Sequence, residues 1–177
     1  ADVFGKLLPA SAPTDIIADL VATYREIYAR LIIPATRPFP GVVATLERYR
    51  STGGRVAVAT SKLASVARAA VDAAGLTPHI SILIGHDSVQ NPKPAPDMVL
   101  RCLEMAGVAA RDALVVGDTV FDVQMALAAG VTACGVTYGV HSRTALVEAG
   151  AARVVDRFED VLPFRQDGES SGHAPKV

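Results

Sequence analysis

Two aspartates one helical turn apart, Asp118 and Asp122, stand directly after the apolar run Ala113-Leu-Val-Val-Gly117. A strand that ends on a glycine and then releases two carboxylates toward one place offers hard oxygen ligands in low number. That donor set suits Mg2+, which keeps several waters and shares its shell with a substrate phosphate. The same spacing also fits a helix cap followed by an acidic residue in the first turn. Two further groups have types that suit the same chemistry. Thr60-Ser61-Lys62 follows Arg55-Val-Ala-Val-Ala, where a hydroxyl and exposed helix N-terminal amides either donate to a phosphate oxygen or simply cap the helix. Lys93 lies in Gln90-Asn-Pro-Lys93-Pro-Ala-Pro-Asp97. Prolines on both sides fix the backbone around one ammonium, the point charge that a phosphoryl oxygen or a nucleophilic carboxylate needs nearby; a structural or solvated loop lysine gives the same pattern. His86 and Asp87 precede this loop and read either as a surface pair or as groups facing the same cleft.

The elements that must position these residues alternate regularly. Residues 42–51 read as a short helix closed by Gly53-Gly54, and Arg55 to Thr60 as a buried strand. Helices over 62–74, 95–106, 121–129 and a short one before Gly150 alternate with strands over 80–85, 113–116 and 131–138 and an edge-like strand over 152–156. The glycine just past each helix is a left-handed C-terminal stop. Strands alternating with helices of this length mean right-handed βαβ units and a parallel sheet covered on both faces, with ligands bound beyond the carboxyl ends of the strands. Before this regular part, Ile17, Val21, Tyr24, Tyr28 and Leu31 mark an amphipathic helix with Thr14 as its N-cap, ending before Pro34. The stiff stretch Pro34-Ala-Thr-Arg-Pro-Phe-Pro-Gly41 places a boundary there. Residues 1–13 read as a loop, and residues 165–177 as a polar, disordered tail.

Composition sets the frame. The chain of 177 residues is half apolar with few aromatics and a formal net charge of −1, which suits a layered helix-and-sheet domain and argues against nucleic-acid or anionic-membrane partners. No apolar run approaches the roughly 20 residues of a membrane span, and the start lacks the pattern of a signal peptide. Cys102 and Cys134 have no metal-ligand spacing and read as small buried residues in a reducing compartment, so the expected location is cytoplasmic.

In order and spacing, strand-Thr60, then Lys93-Pro, then strand-Gly117-Asp118-xxx-Asp122 resembles motifs two, three and four of the haloacid dehalogenase (HAD) superfamily, especially its phosphoglycolate phosphatase-like branch. Phe39-Pro-Gly41-Val, Lys93-Pro-Ala-Pro-Asp97 and Ala126-Leu-Ala-Ala-Gly130 add to the likeness, and Tyr24-Arg-Glu-Ile-Tyr28 is similar to the last helix of that branch's cap. The resemblance implies a HAD-like Rossmannoid three-layer α/β/α fold with a parallel sheet. It divides the chain into a partial helical cap (1–36), a core lacking its first strand (37–164) and the tail. It implies Mg2+-dependent phosphatase chemistry on a small phosphorylated metabolite through an aspartyl phosphate. Thr60 and Ser61 would contact the phosphoryl group and substrate, Lys93 would neutralise nucleophile and phosphate, and Asp118 and Asp122 would hold the metal or its shell.

One departure is large. The family's nucleophile and general acid sit in an Asp-x-Asp motif on the first strand, and no two aspartates stand at i and i+2 in this sequence. Asp2-Val-Phe4-Gly5 is the nearest imitation, with Phe4 in the second acid's place. Without that strand, two half-sheets must close on each other, take a strand from another chain or leave unpaired edges. The expectation for this chain alone is low stability and no turnover. The alternatives are a catalytically inactive remnant that binds phosphate or a protein partner, and a phosphomutase or dehalogenase of the same superfamily.

Overall fold

The computed structural model describes Pro9 and residues 13–163; the expected tail, the Asp2-Val-Phe4 segment and most of the N-terminal loop lie outside the described residues. The chain alternates helices and strands as anticipated: α1 (Thr14–Ile27), α2 (Val42–Ser51), β1 (Ala57–Ala59), α3 (Ala64–Ala73), β2 (Ile82–Ile84), α4 (Asp97–Ala106), β3 (Leu114–Gly117), α5 (Val120–Ala128), β4 (Thr132–Val136), α6 (Arg143–Glu148) and β5 (Arg153–Val155). Every strand pair is parallel. α4 and α5 end on glycines in the left-handed region, Gly107 (φ 64°) and Gly130 (φ 71°), where a side chain would be strained. Among the described residues no helix is long and apolar enough to cross a membrane.

The strands form two sheets rather than one, β1-β2 and β3-β4-β5. Ser81 donates its N–H to the Val56 carbonyl (2.9 Å) and Thr60 donates its own to the Ile84 carbonyl (3.0 Å). Backbone groups alternate sides along a strand, so those of Ala57 and Ala59 point away from β2, along an edge that no described strand covers. The expectation that the strand over Arg55 to Thr60 is buried is corrected here. β2 and β4 are largely buried, whereas no residue of β1 or β3 is fully buried; β1 and β3 each leave one edge without a described partner strand.

A shared core still joins the sheets. Ile82 and Ile84 pack with Met98 and Val99 of α4 and Met125 of α5, with Ala59 of β1 and Val115 of β3 against the same cluster. On the β3-β4-β5 sheet, Val115 and Ala133 face Val123, Ala126 and Leu146 of α5 and α6. The alternate residues Leu114, Val116, Cys134 and Val136 face Val161 and Phe158. This period-two division explains why these strands read as apolar runs.

The first helix departs from expectation at both ends. Thr14 lies inside α1 and makes no side-chain cap; the capping position is Pro13. Pro34 does not stop the helix, which passes through a π turn at Tyr28–Ile32 and a last α turn at Ile33–Ala35. The π turn's wider spacing, Ile33 N–H to Tyr28 carbonyl, gives the proline ring room that an α-helical ladder denies it. None of the α1 residues is buried.

Candidate active site

Lys93 and Asp122 form the centre of the polar cluster at the carboxyl ends of β1 and β3. The Lys93 Nζ donates to Asp122 Oδ1 at 2.5 Å and to the Ala59 carbonyl at 2.9 Å. Both side chains are largely withdrawn from solvent, 12% exposed for Lys93 and 10% for Asp122. The Ala59 carbonyl belongs to the open edge of β1, so the ammonium lies beside that edge and bridges it to the helix that follows β3.

Asp122 is buried because its other oxygen is also satisfied. Thr119 is the N-cap of α5; its N–H and hydroxyl both donate to Asp122 Oδ2 (3.0 and 2.6 Å), and its Oγ1 accepts from the Asp122 N–H (3.2 Å). This reciprocal capping box settles two amides of the first turn and orients the carboxylate toward Lys93. Close approach requires Gly117, since a Cβ there would lie 2.3 Å from the Asp122 Cβ. The cap is thus Thr119 rather than Asp118. The Thr-x-x-Asp spacing was present in the sequence as the signal for it.

Asp118 is half-buried and held differently. Val140 donates its N–H to Asp118 Oδ2 (2.9 Å) and His141 donates its N–H to the Asp118 carbonyl (3.0 Å). Among the described residues Oδ1 accepts no hydrogen bond. Tyr138, nearby, packs against Phe39 in a tilted pair with ring centroids 4.7 Å apart. Burial, then the charges of Asp118, Cys134 and Glu159, push its hydroxyl up to about 12.

Thr60 ends β1 next to the carbonyl that Lys93 holds, and its Oγ1 accepts from the Lys62 N–H at 3.3 Å, leaving the hydroxyl proton to donate. Ser61 lies exposed in the turn that follows. The N-terminus of α3 is already engaged: Asp87 Oδ1 accepts from the Ala64 N–H at 2.7 Å, and the His86 N–H donates to the Lys62 carbonyl at 2.8 Å. His86 and Asp87 therefore tie the loop after β2 to the loop after β1.

The donor set present fits a hard divalent cation only in part. Asp118 offers a free carboxylate oxygen and Asp122 lies one helical turn away, while no group of three or more His, Cys, Asp or Glu that could hold a metal ion occurs among the described residues. One free carboxylate oxygen leaves waters and a phosphate oxygen to complete a shell, a composition Mg2+ accepts.

Comparison with known proteins places the chain in one family. A family model described as haloacid dehalogenase-like hydrolase matches residues 1–136. The chain is 35% identical over 161 residues to a probable phosphatase, IndB, of Dickeya dadantii, covering 90% of this chain and 70% of that protein. It is 31% identical over 156 residues to a phosphoglycolate phosphatase of Escherichia coli, covering 88% of this chain but only 61% of the relative's length. A crystal structure assigned as a phosphoglycolate phosphatase from Lactobacillus delbrueckii superposes with a TM-score of 0.75 at 25% identity, over 87% of this chain and 64% of that one.

Proposed function

Because the chain belongs to the haloacid dehalogenase-like hydrolase family, we propose that its cluster serves a Mg2+-dependent phosphatase acting on a small phosphomonoester of the phosphoglycolate type. The observation that carries this is Lys93, whose ammonium is held at once to the open edge of β1 and to Asp122. A fixed charge between a strand edge and a carboxylate is suited to phosphoryl transfer, where positioning and charge neutralisation supply most of the rate.

In this reading residues 1–36 belong to a helical cap and 37–164 to the core. Thr60 donates its free hydroxyl proton to a phosphoryl oxygen, with Ser61 beside it in the same turn. Lys93, paired with Asp122, turns its remaining N–H toward nucleophile and phosphate. Asp118, through its free Oδ1, would hold Mg2+, and Asp122, with both oxygens committed to Lys93 and Thr119, orients the lysine beside it. The bound cation supplies charge for the phosphate. No Asp-x-Asp pair occurs in the 177 residues, so the nucleophile is not among them. The open edge of β1, next to Lys93, is where a strand carrying it fits. The reading thus expects no turnover from this chain alone.

Two measurements test it. Asp118→Asn is expected to weaken Mn2+ binding, used as a spin-active substitute for Mg2+, about tenfold, the scale of one lost charged contact; equal affinity removes Asp118 from the metal site. The 177-residue chain is expected to give no Mg2+-dependent hydrolysis of p-nitrophenyl phosphate, and measurable turnover would show that the nucleophile lies within these residues after all.

A further inference from the structure

We propose that Gly139-Val140-His141, the segment after β4, is a clamp that sets the orientation of the Asp118 carboxylate, with His141 as the positioning residue that anchors it. Its purpose rests on the reading of Asp118 as a metal ligand; its existence rests on geometry alone.

Three contacts place the segment around Asp118, and two more tie it to α5. The Val140 N–H donates to Asp118 Oδ2 at 2.9 Å, and the His141 N–H donates to the Asp118 carbonyl at 3.0 Å. Gly139 packs so closely that a Cβ there would sit 2.2 Å from both Asp118 Cβ and Oδ2. Finally, the ring of His141 returns to the start of α5: its Nδ1 accepts the Val120 N–H at 3.2 Å, and its edge meets Phe121 with centroids 6.2 Å apart at 74°.

These contacts make one device. A carboxylate at a strand end rotates freely unless one oxygen is held; here Oδ2 is held by a backbone amide and Oδ1 is left to a ligand. That amide belongs to Val140, which is 74% exposed. What fixes it is the neighbouring His141. Val120 N–H is one of the amides that a helix start leaves without an intrahelical partner, and His141 satisfies it through Nδ1, with the ring proton on Nε2. The clamp on Asp118 is therefore anchored to α5, the helix that carries Asp122. The two carboxylates are held in a fixed relation through His141 as well as through the short turn between them. A residue that only filled space at position 141 would keep the Phe121 contact and lose this relation.

The test uses the 15N-labelled 177-residue chain, reading amide hydrogen exchange at Val120, Val140 and, as a core control, Val136, together with Mn2+ affinity from water-proton relaxation. His141→Asn keeps an acceptor where Nδ1 stands and is expected to preserve both readouts within about threefold. His141→Leu keeps bulk without an acceptor and is expected to speed exchange at Val120 and Val140 about tenfold and weaken Mn2+ by a similar factor, with Val136 unchanged, on the scale of one hydrogen bond to a charged group. Gly139→Ala, which keeps the histidine and displaces the carboxylate, is expected to give the same loss at Val140 and covers the case in which His141→Leu does not fold. Unchanged Val140 exchange in both His141→Leu and Gly139→Ala overturns the clamp. Loosened Val140 exchange with no Mn2+ binding even in the wild-type chain upholds the clamp and instead removes Asp118 from the metal site.

Discussion

The Lys93–Asp122 pair makes a quantitative prediction about stability that does not depend on turnover. Asp122 accepts three hydrogen bonds, from Lys93 Nζ at 2.5 Å and from Thr119 N–H and Oγ1 at 3.0 and 2.6 Å. Asp122→Ala removes all three and strands the ammonium with the Ala59 carbonyl as its remaining partner, in a site where Lys93 is only 12% exposed. A hydrogen bond to a charged group contributes about 1.5–3 kcal/mol, and loss of a capping residue costs about 1 kcal/mol. Such contributions are not additive, and the expected cost is about 3–5 kcal/mol, the range for breaking one side of a buried ion pair. Lys93→Met keeps the aliphatic stem and removes the charge; the carboxylate retains its two Thr119 donors, so this change costs about 2–3 kcal/mol. In the double variant the stranded ammonium is gone and the lysine's contribution is lost only once. Its cost falls short of the summed single costs by about 2 kcal/mol, the coupling energy of the pair. Urea unfolding of the four proteins, followed by far-ultraviolet circular dichroism at constant salt, measures this cycle. Additivity within about 0.5 kcal/mol would refute the claim that Lys93 and Asp122 hold each other, and with it the account of how the lysine is aimed.

Further outcomes follow from the packing and from the titrating groups. Leu146, fully buried between α6 and the β3-β4-β5 sheet, is expected to cost about 3 kcal/mol when changed to Ala, measured by the same urea unfolding. Asp87→Ala removes the acceptor for the Ala64 N–H and is expected to cost about 1 kcal/mol, whereas Asp87→Asn keeps an oxygen there and loses less; equal losses would mean that the charge and not the cap matters. Stability should fall in alkali. Burial, slightly offset by Lys93, raises the Cys102 thiol from its ordinary 9.0 to about 11, and burial raises Tyr138 from 10.0 to about 12. Both folded values lie above the unfolded ones, so the contribution is complete below pH 9 and is lost as pH rises through about 11 and 12. Unfolding midpoints measured across that window should decline, and Cys102→Ala should flatten the lower part of the decline.

The succession of elements was legible because apolar runs of four to six residues were separated by helices ending on glycine, and each expected helix of the core lies within a few residues of its place. Thr60, Lys93, Asp118 and Asp122 were legible as candidates because each follows a strand or a proline-fixed loop. Their division of labour was not. Spacing treats Asp118 and Asp122 as equivalent ligands, whereas the structure gives Asp122 to Lys93 and Thr119 and leaves an oxygen free on Asp118. Val140 and His141 gave no sequence signal, since a backbone N–H carries no residue type and a lone histidine after a strand has many uses. The helix passing Pro34 was missed because a π turn leaves no mark in hydrophobic periodicity.

The charges of the cluster also decide what must enter with a phosphate. Lys93 is the cation drawn into the interior, and its charge is already answered by Asp122 at 2.5 Å. Asp118 then remains in surplus, half-buried, where Coulomb forces are screened less than at the surface. A phosphate dianion placed beside Thr60 and Lys93 meets a neutral pair plus one extra negative charge, so these residues alone repel it. A further aspartate arriving along the open edge of β1 would deepen the deficit. On the proposed reading, a divalent cation held by Asp118 offsets that surplus and makes the cluster attractive to phosphate. By the same reasoning, phosphate affinity of the chain should rise with Mg2+ concentration and should not rise with Na+ at equal ionic strength. Phosphate binding that ignores Mg2+ would mean that the surplus charge on Asp118 is neutralised in some other way.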